Sequence, residues 1–483
     1  MKKLSRENWI LLTIIVFGFL IRLAFVSNVP WWDESVYLNL GYDLSSNPLD
    51  YSVENHGWSD FIPSGGDENY AWPKMGFRPP LLPYILAIFY ALNLNFLIKF
   101  LLPLMGALTI FLVYLLGKEM FNKKVGIISA AIICLVPIHV IFSGIILNDV
   151  LVTFFITLSF LFFWKGFEKG NEKYKILWGI TLGIGLLTRY TMLWIIPIFP
   201  IYLWIKNKSL NFLKDKYLWY AIVGFLIVLI PWFIYGYFEY GNILGGFLHG
   251  FKGAAYWGGV QPWFFFFNSW WSIFSIIGFV FVLGLIYMLY KKEFIKKEIY
   301  LLLIWFGFFL GMAIYMPHKE ERFILAVVPA ICLLSGLFIS QFKKYQKLIL
   351  GGVIFILIFS LSLHFFINYK DSHTGTNSCF LEGNKFLKNL EKDALIVTDE
   401  SPIVYYYTKK ETHFYPNPWS LQSLSSLAED SYKGRNVYIF FTDYDMPLND
   451  EENIQIKNDL DINFKKAFEC YKNEGFSIIY RYN

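Results

Sequence analysis

The chain has 483 residues, of which 56% are hydrophobic and only 16% are charged, and its formal net charge is +5. Soluble globular proteins carry roughly 25% charged residues, so this composition excludes an ordinary soluble protein and predicts a chain that crosses a membrane several times. Most lysines lie in short segments between apolar runs, where they report membrane topology. We therefore exclude a nucleic-acid-binding protein despite the positive charge.

About eleven apolar runs are candidates for membrane spans, each of which needs about 20 residues in a helix. The predicted spans lie near residues 9–27, 96–117, 125–144, 149–166, 174–188, 191–206, 217–237, 263–290, 299–316, 322–341 and 348–368. The first run is long, contains Arg22, and has no small-x-small cleavage site after it, so we interpret it as a span and not as a signal peptide. Segment 80–93 is short and rich in proline, which predicts a helix at the outer interface.

Lysines fill alternate loops between these spans. They are Lys118, Lys123 and Lys124; Lys165, Lys169, Lys173 and Lys175; Lys206, Lys208, Lys214 and Lys216; Lys291, Lys292, Lys296 and Lys297; and Lys343, Lys344 and Lys347. Cytoplasmic loops carry an excess of Lys and Arg, so these loops and the N-terminus are predicted to be cytoplasmic. The outer side then holds loop 28–95, the turn at residues 148–149, loop 238–262 and the turn PHKEERF.

The fold class that follows is a polytopic α-helical membrane protein with a soluble α/β domain at its C-terminus. We predict a transmembrane domain over residues 1–369, with interfacial helices in loop 28–95, and an exoplasmic α/β domain over 370–483. In the latter, ALIVT, VYIFFT and SIIYRY read as strands of a small mixed or parallel sheet. If this domain lies outside the cell, Cys379 and Cys470 become candidates for a disulfide, and the sequence alone does not decide whether they pair.

Acidic residues at the predicted outer face are the first functional candidates, because ionisable groups at a membrane edge are costly. Asp33 and Glu34 follow a tryptophan pair in WWDESVY; they read either as a helix N-cap or solvated turn, or as a general base whose pKa is raised by partial desolvation. Asp149 opens a span and reads either as a helix cap or as a metal ligand or acceptor contact.

Basic residues are predicted at the same face. An arginine at this depth either reaches the interface with its charged end or binds a phosphate in the headgroup plane. The dense cluster HKEER between two spans fits a phosphate site with internal glutamate partners. The basic candidates are Arg78, Arg189, His318, Lys319 and Arg322.

Five motifs carry a family resemblance when they are taken together. In chain order they are WWDESVY, FRPPLLPY, LNDVLVTFFITLSFLFFWKG, GLLTRYT and PHKEERFILAVVPA. Over about residues 5–370 the chain resembles the membrane-embedded glycosyltransferases of the GT-C fold. In particular it is similar to the dolichyl-phosphate-mannose protein mannosyltransferase superfamily, which includes the bacterial lipid A aminoarabinose transferases.

The resemblance implies transfer of a sugar from a polyprenyl or dolichyl phosphate to an acceptor on the exoplasmic side. By motif position, Asp33 matches the acid proposed as general base, Glu34 is its neighbour, and Asp149 matches the second-loop acid. The basic residues named above would hold the donor phosphate, and an in-line displacement would invert the anomeric carbon. No cofactor is required, although a divalent metal at Asp149 stays open.

The acceptor is left open among a glycan, a lipid and a protein. Between the seventh and eighth spans there is only loop 238–262, without the extra domain expected of eukaryotic protein mannosyltransferases. The chief alternative function is a transporter or flippase for lipid-linked sugars. Transporters often contain internal repeats with a site at the midplane, whereas this sequence has no evident repeat and its candidate charges gather at one face. A non-catalytic membrane receptor or assembly factor is the third interpretation.

Overall fold

The computed structural model describes residues 5–27, 29–53, 78–248, 250, 260–372, 375–416, 419–425, 434–444, 451–472 and 475–482. The chain divides into two compact units. The first comprises Met1–Val26, Gly76–Leu82 and Leu94–Phe365, and the second comprises Ser27–Met75, Pro83–Asn93 and Phe366–Asn483. The second unit thus contains most of the predicted outer loop 28–95 as well as the predicted α/β domain. Residues 54–77 of that loop, and 249 and 251–259 of loop 238–262, lie outside the described residues.

Nineteen α-helices can be followed in the described residues. In chain order they are α1 (Arg6–Leu23), α2 (Trp32–Ser46), α3 (Leu81–Ala91), α4 (Ile98–Met120), α5 (Lys123–Ile133), α6 (Pro137–Phe142), α7 (Asn148–Phe163), α8 (Glu172–Leu186), α9 (Ile198–Asn207), α10 (Lys216–Tyr240), α11 (Phe265–Asn268), α12 (Trp270–Phe274), α13 (Ile276–Tyr290), α14 (Lys297–Tyr315), α15 (Val328–Gln341), α16 (Gln346–Ser372), α17 (Gly375–Lys388), α18 (Ser401–Thr408) and α19 (Glu451–Asn463).

Each predicted span contains at least one of these helices. Because several of them are apolar and long enough to cross a membrane, the chain is a multi-pass membrane protein. Within the described residues, six helical segments are long and apolar enough to cross a membrane. They are Asn95–Met120, Asn148–Glu168, Lys216–Tyr240, Lys297–Tyr315, Glu321–Gln341 and Gln346–Phe366. Helix α3 is shorter, with 11 residues, and at 1.5 Å per residue it extends only about 16 Å, too little to span the bilayer as a straight helix.

Several spans are interrupted, and two of the interruptions position site residues. The predicted span 125–144 is two helices, because the chain turns after α5 and Pro137 starts α6, a position that proline favours. Before α9 the chain forms the 3₁₀ helix Tyr190–Ile195, and before α15 it forms the 3₁₀ helix Glu321–Val327. Arg189 and Glu320 lie immediately before these two 3₁₀ helices.

Buried aromatic rings join these elements in the first unit. Phe160 of α7 stacks on Trp305 of α14, with ring centroids 3.9 Å apart, and both side chains are almost fully buried. The indole nitrogen of Trp305 also donates a hydrogen bond to the Ala326 carbonyl at 3.1 Å. A stacked aromatic pair contributes about 0.5–1.5 kcal/mol beyond the area that it buries. The last turn of α7 and the 3₁₀ helix at Glu321–Val327 are therefore both in contact with Trp305 of α14.

The second unit contains a mixed five-stranded sheet. Its strands are β1 (Leu395–Thr398), β2 (Thr412–His413), β3 (Val437–Thr442), β4 (Lys465–Lys472) and β5 (Gly475–Arg481), in the spatial order β2-β1-β3-β5-β4. Strand β1 pairs in parallel with β2 and β3, whereas β5 pairs antiparallel with β3 and β4. The mixed sheet agrees with the sequence-based expectation of a small mixed or parallel sheet.

Side chains of the sheet alternate between two apolar cores, as the period of two in a strand requires. One core joins Ile396, Phe440 and Ile479 to Phe380 and Leu387 of α17 and to Ile403 and Val404 of α18. The other joins Leu395, Ile439 and Ile478 to Ile456 and Leu460 of α19. A disulfide between Cys379 of α17 and Cys470 of β4 adds a covalent link across 91 residues of sequence.

Candidate active site

Asp149 lies in the first turn of α7, where a carboxylate is favoured by the helix dipole. The cap position itself belongs to Leu147, which makes no side-chain cap. Only 4% of Asp149 is exposed, and its Oδ1 accepts a hydrogen bond from Nη1 of Arg189. Removing one member of a buried ion pair typically costs about 3–5 kcal/mol, so each side chain holds the other in place.

The Phe323 ring lies against two guanidinium groups. The guanidinium carbon of Arg189 is 5.0 Å from the ring centroid, and that of Arg322 is 5.8 Å away. Such cation–π contacts are worth about 0.5–2 kcal/mol, more where water is excluded. Phe323 therefore joins two arginines that come from different spans.

Glu320 organises the other side of this cluster. Its carboxylate accepts a hydrogen bond from Nη2 of Arg322 at 2.8 Å, and its other oxygen lies 2.7 Å from Nε of the same guanidinium as an ion-pair contact. The same carboxylate contacts Nε2 of His318 at 3.0 Å. The His318 ring in turn meets Phe323 edge-on, with centroids 5.7 Å apart. The predicted internal glutamate partner of the HKEER turn is therefore present.

Lys319 is buried and supports the backbone of the turn. Its ammonium donates to the carbonyls of Met316 at 2.6 Å and Gln261 at 3.0 Å. The backbone amide of Gln261 donates a hydrogen bond to the Pro317 carbonyl at 2.9 Å. In this structure the lysine thus ties the end of loop 238–262 to the turn that carries His318.

Arg78 belongs to the same compact unit, in the segment just before α3. That segment is anchored by a hydrogen bond from the Leu81 amide to the Leu187 carbonyl, 2.9 Å long. Leu187 is two residues before Arg189, so the backbones that carry the two arginines are tied together. The first unit therefore contains six of the predicted site residues: Arg78, Asp149, Arg189, His318, Lys319 and Arg322.

Asp33 and Glu34 lie in the first turn of α2 and belong to the second compact unit. Glu34 is 7% exposed, and its Oε2 accepts a hydrogen bond from the Trp31 amide at 3.0 Å. This contact satisfies the backbone amide at the N-cap position of the helix, which is the glutamate half of a capping box. Asp33 is half-buried beside it. The structure thus gives Glu34 a structural role, while the catalytic role of either acid stays a prediction.

The predicted metal role of Asp149 also stays a prediction. Its carboxylate is engaged by Arg189, and a guanidinium is a poor neighbour for a divalent cation. In the part of the chain that the structure describes, no group of three or more His, Cys, Asp and Glu side chains is placed to hold a metal ion.

Sequence comparison finds a match over the part of the chain that includes Asp149 and Arg189. Residues 77–235, about a third of the chain, match the model of dolichyl-phosphate-mannose-protein mannosyltransferase. The undecaprenyl phosphate-alpha-4-amino-4-deoxy-L-arabinose arabinosyl transferase of Wigglesworthia glossinidia brevipalpis is 28% identical over 214 residues, which are 42% of this chain and 35% of that protein. An uncharacterized protein of Aquifex aeolicus is 25% identical over 60% of this chain and 59% of its own length. The matches thus span less than two thirds of both relatives.

Similarity of structure extends over the whole chain. ArnT from Cupriavidus metallidurans, bound to undecaprenyl phosphate, has a TM-score of 0.72 at 11% identity and covers 99% of both chains. The chain has the GT-C fold. A second solved structure, archaeal oligosaccharyltransferase AglB from Archaeoglobus fulgidus with an inhibitory peptide and a dolichol-phosphate, has a TM-score of 0.58 at 15% identity and covers 98% of this chain and 74% of its own.

Two members of this cluster were not singled out from the sequence. Phe323 follows the charged turn and reads there as the first apolar residue of a span, so nothing marks its ring as a contact for two arginines. Glu320 was recognised only as one of two glutamates. The sequence does not show which of the two pairs with Arg322. In the structure Glu320 does so, whereas Glu321 accepts a hydrogen bond from Ser272 at 2.6 Å.

Proposed function

We propose that this chain is a glycosyltransferase that moves a sugar from a polyprenyl-phosphate donor to an acceptor at the outer membrane face, with inversion. The observation that carries the proposal is the cluster formed by Asp149, Arg189, Phe323, Arg322 and Glu320. It gathers two guanidinium groups at the ends of membrane helices in a chain of GT-C fold. The similar solved structures were determined with undecaprenyl phosphate and with a dolichol-phosphate.

The two arginines suit a lipid phosphate for physical reasons. A guanidinium stays charged at all relevant pH values and offers planar, paired donors that match phosphate oxygens. Arg189 and Arg322 share the Phe323 ring, so their positions are set before a ligand enters. Positive charge aimed at a leaving phosphate stabilises the negative charge that develops on it in the transition state, the largest electrostatic contribution available to this reaction.

Asp33 is the proposed general base. Its carboxylate takes the proton of an acceptor hydroxyl or amine, and the acceptor atom forms a bond to the anomeric carbon of the sugar. The bond from that carbon to the phosphate oxygen breaks on the opposite face, and the polyprenyl phosphate leaves as an anion with the bonding electron pair. The acceptor class stays open among glycan, lipid and protein.

The outer location of the second unit is part of the proposal. The loops rich in lysine assign the opposite ends of the spans to the cytoplasm. The disulfide between Cys379 and Cys470 supports an oxidising compartment, since such bonds are rare in the cytosol. An orientation with a cytoplasmic N-terminus and an exoplasmic C-terminal domain accounts for both features.

The test uses release of free polyprenyl phosphate from a purified polyprenyl-phosphate sugar, in membranes that contain the protein and its native acceptors. Release is expected with the wild-type protein and is expected to be lost in Asp33→Asn. Arg189→Ala is expected to weaken donor binding, and Arg189→Lys to restore only part of it because the paired donors are lost. Lys343→Ala, in a predicted cytoplasmic loop, is the control and should match wild type.

Each alternative result has a definite meaning. A flippase would move the donor across the membrane with its sugar–phosphate bond intact, so absence of released polyprenyl phosphate together with transbilayer movement would favour that function. Normal release in Asp33→Asn would remove the base role. Unchanged donor affinity in Arg189→Ala would contradict the phosphate assignment.

A further inference from the structure

Helix α2, which carries Asp33, is held at two sides within the second unit. On one side, Gly41 approaches α3 so closely that an added Cβ would lie 2.6 Å from Cβ of Leu86. On the other side, the buried amide of Asn39 donates to the Pro402 carbonyl of α18 at 2.7 Å. These two contacts fix the middle of the helix between distant parts of the sequence.

Lys409 contacts α2 from the C-terminal part of the unit. Its ammonium donates to Oδ1 of Asn39 at 3.1 Å. The same nitrogen lies 4.2 Å from the ring centroid of Tyr42 on α2. The rings of Tyr405 and Tyr406 are 5.1 and 5.3 Å away. We call the rings of Tyr42, Tyr405 and Tyr406 the tyrosine cage. The cation that these rings contact is the ammonium group of Lys409, which belongs to the same chain.

A second polar contact runs beside the tyrosine cage. The Tyr405 hydroxyl donates to Oδ1 of Asp43 at 3.0 Å. Burial lowers the pKa of Lys409 to about 8, and the negative charge of Asp43 opposes this shift. Burial therefore disfavours the charged form of Lys409. The groups on α2 that favour the charged form are Asn39, Tyr42 and Asp43.

The backbone of Lys409 decides which replacement suits this position. The residue ends α18 in the left-handed conformation, with φ of 54°. Glycine is the usual residue at this helix end, because a Cβ is strained there. Lys208 and Lys292 adopt the same conformation, so it does not by itself assign a role to Lys409, but it makes glycine a replacement that suits the backbone at this position.

Lys410, the next residue, shows that burial of a lysine here does not by itself imply contact with α2. It is 6% exposed, and its ammonium donates to the Leu390 carbonyl at 3.0 Å. Leu390 follows α17, so Lys410 ties together the C-terminal part of the unit alone. The pair of neighbouring lysines therefore provides a matched comparison.

We propose that Lys409 is a positioning residue that, through Asn39 and the tyrosine cage, holds helix α2 and thereby sets the place of Asp33. This rests on the proposed function, in which Asp33 is the base. A displacement of about 1 Å in a reacting group can lower a rate by about a hundredfold, so the C-terminal domain would contribute to the rate without supplying a group that touches the substrate.

The test compares Lys409→Gly, Lys409→Arg and Lys410→Ala in the full-length protein. Lys409→Gly removes the side chain and relieves the left-handed backbone, which offsets part of the stability that is lost with its contacts. We expect its kcat for release of polyprenyl phosphate to fall by about tenfold or more, with the KM for the donor unchanged. Hydrogen–deuterium exchange in residues 32–46 should become faster. Lys409→Arg should restore much of kcat, and Lys410→Ala should leave kcat and this exchange at wild-type values.

Asp33→Asn is measured in parallel to separate the two ideas. If Asp33→Asn is inactive but Lys409→Gly keeps wild-type kcat, the positioning role is overturned and the proposed base stands. If Lys409→Gly speeds exchange in residues 32–46 without lowering kcat, the contact is structural only and the positioning role is again overturned. If Asp33→Asn is fully active, the base role is wrong, and the positioning role that rests on it is overturned with it.

Discussion

At the scale of residues, the candidate site pairs both Arg189 and Arg322 with an acid. Asp149 engages Arg189, and Glu320 engages Arg322 through two atoms. A phosphate that enters the site must therefore share these guanidinium groups with carboxylates or displace them. Such pairing avoids unpaired buried charge in the empty site, which would be destabilising. It also limits how tightly the anion binds, so that a leaving phosphate can be released.

Phe323 provides the prediction for this scale. In Phe323→Leu the apolar volume is mostly kept, but the ring face shared by Arg189 and Arg322 is lost. With cation–π contacts worth about 0.5–2 kcal/mol, we expect binding of undecaprenyl phosphate to weaken by about 3- to 30-fold.

The measurement is titration of the purified protein with undecaprenyl phosphate. Phe306→Leu removes a ring that instead meets Phe281, with centroids 4.7 Å apart, and serves as the control. Equal affinity in Phe323→Leu and Phe306→Leu would show that the ring does not organise the two arginines.

The acid and base candidates could be anticipated from the sequence because charge at a membrane edge is rare. The parity of the lysine-rich loops brought Asp149, Arg189 and the HKEER turn to one predicted face, and the structure joins them in one cluster. The ring of Phe323 could not be anticipated, since in an apolar run one phenylalanine looks like another. The capping role of Glu34 was one of two interpretations that the sequence left open.

At the scale of elements, the apolar runs were easier to predict than the breaks inside them. A run such as 191–206 shows hydrophobic length, but the 3₁₀ helix Tyr190–Ile195 depends on tertiary contacts. Likewise, β1, β3 and β5 were recognisable as apolar strands. Strand β2 has only two residues, and β4 is a mostly exposed edge strand with little apolar pattern, so neither gives a sequence signal.

The disulfide gives a prediction at this scale. Because it joins α17 to the edge strand β4 across 91 residues, its loss should destabilise the C-terminal domain by about 2–5 kcal/mol. We expect Cys379→Ser, Cys470→Ser and the double variant to lower the thermal midpoint of this domain to a similar extent. Reductant should lower the wild-type midpoint but not that of the double variant. Alkylation of both cysteines in unreduced protein would contradict the pairing.

At the scale of the whole molecule, the division into two units differs from a simple boundary in sequence. We predicted a change of domain at residues 369/370, and the second unit also includes residues 27–75 and 83–93. This grouping depends on contacts such as that of Asn39 with Pro402, which are 363 residues apart. Composition and periodicity describe local segments, so they cannot reveal a contact at that separation.

Topology is the prediction that belongs to the whole molecule. We expect a cysteine introduced at Ile462, which is 80% exposed on α19, to react with a membrane-impermeant maleimide in intact cells. A cysteine at Lys343, in a predicted cytoplasmic loop, should react only after the membrane is permeabilised. The opposite pattern would invert the proposed orientation and place the candidate site at the cytoplasmic face.

The proposed function depends most directly on where a lipid phosphate binds. The decisive measurement is a structure of the membrane-embedded protein with undecaprenyl phosphate added. We predict phosphate density within about 3 Å of the guanidinium nitrogens of Arg189 or Arg322, with the carboxylate of Asp149 or Glu320 moved to share them. Phosphate bound away from both arginines, with the pairs Asp149–Arg189 and Glu320–Arg322 unchanged, would contradict the proposed function of this site.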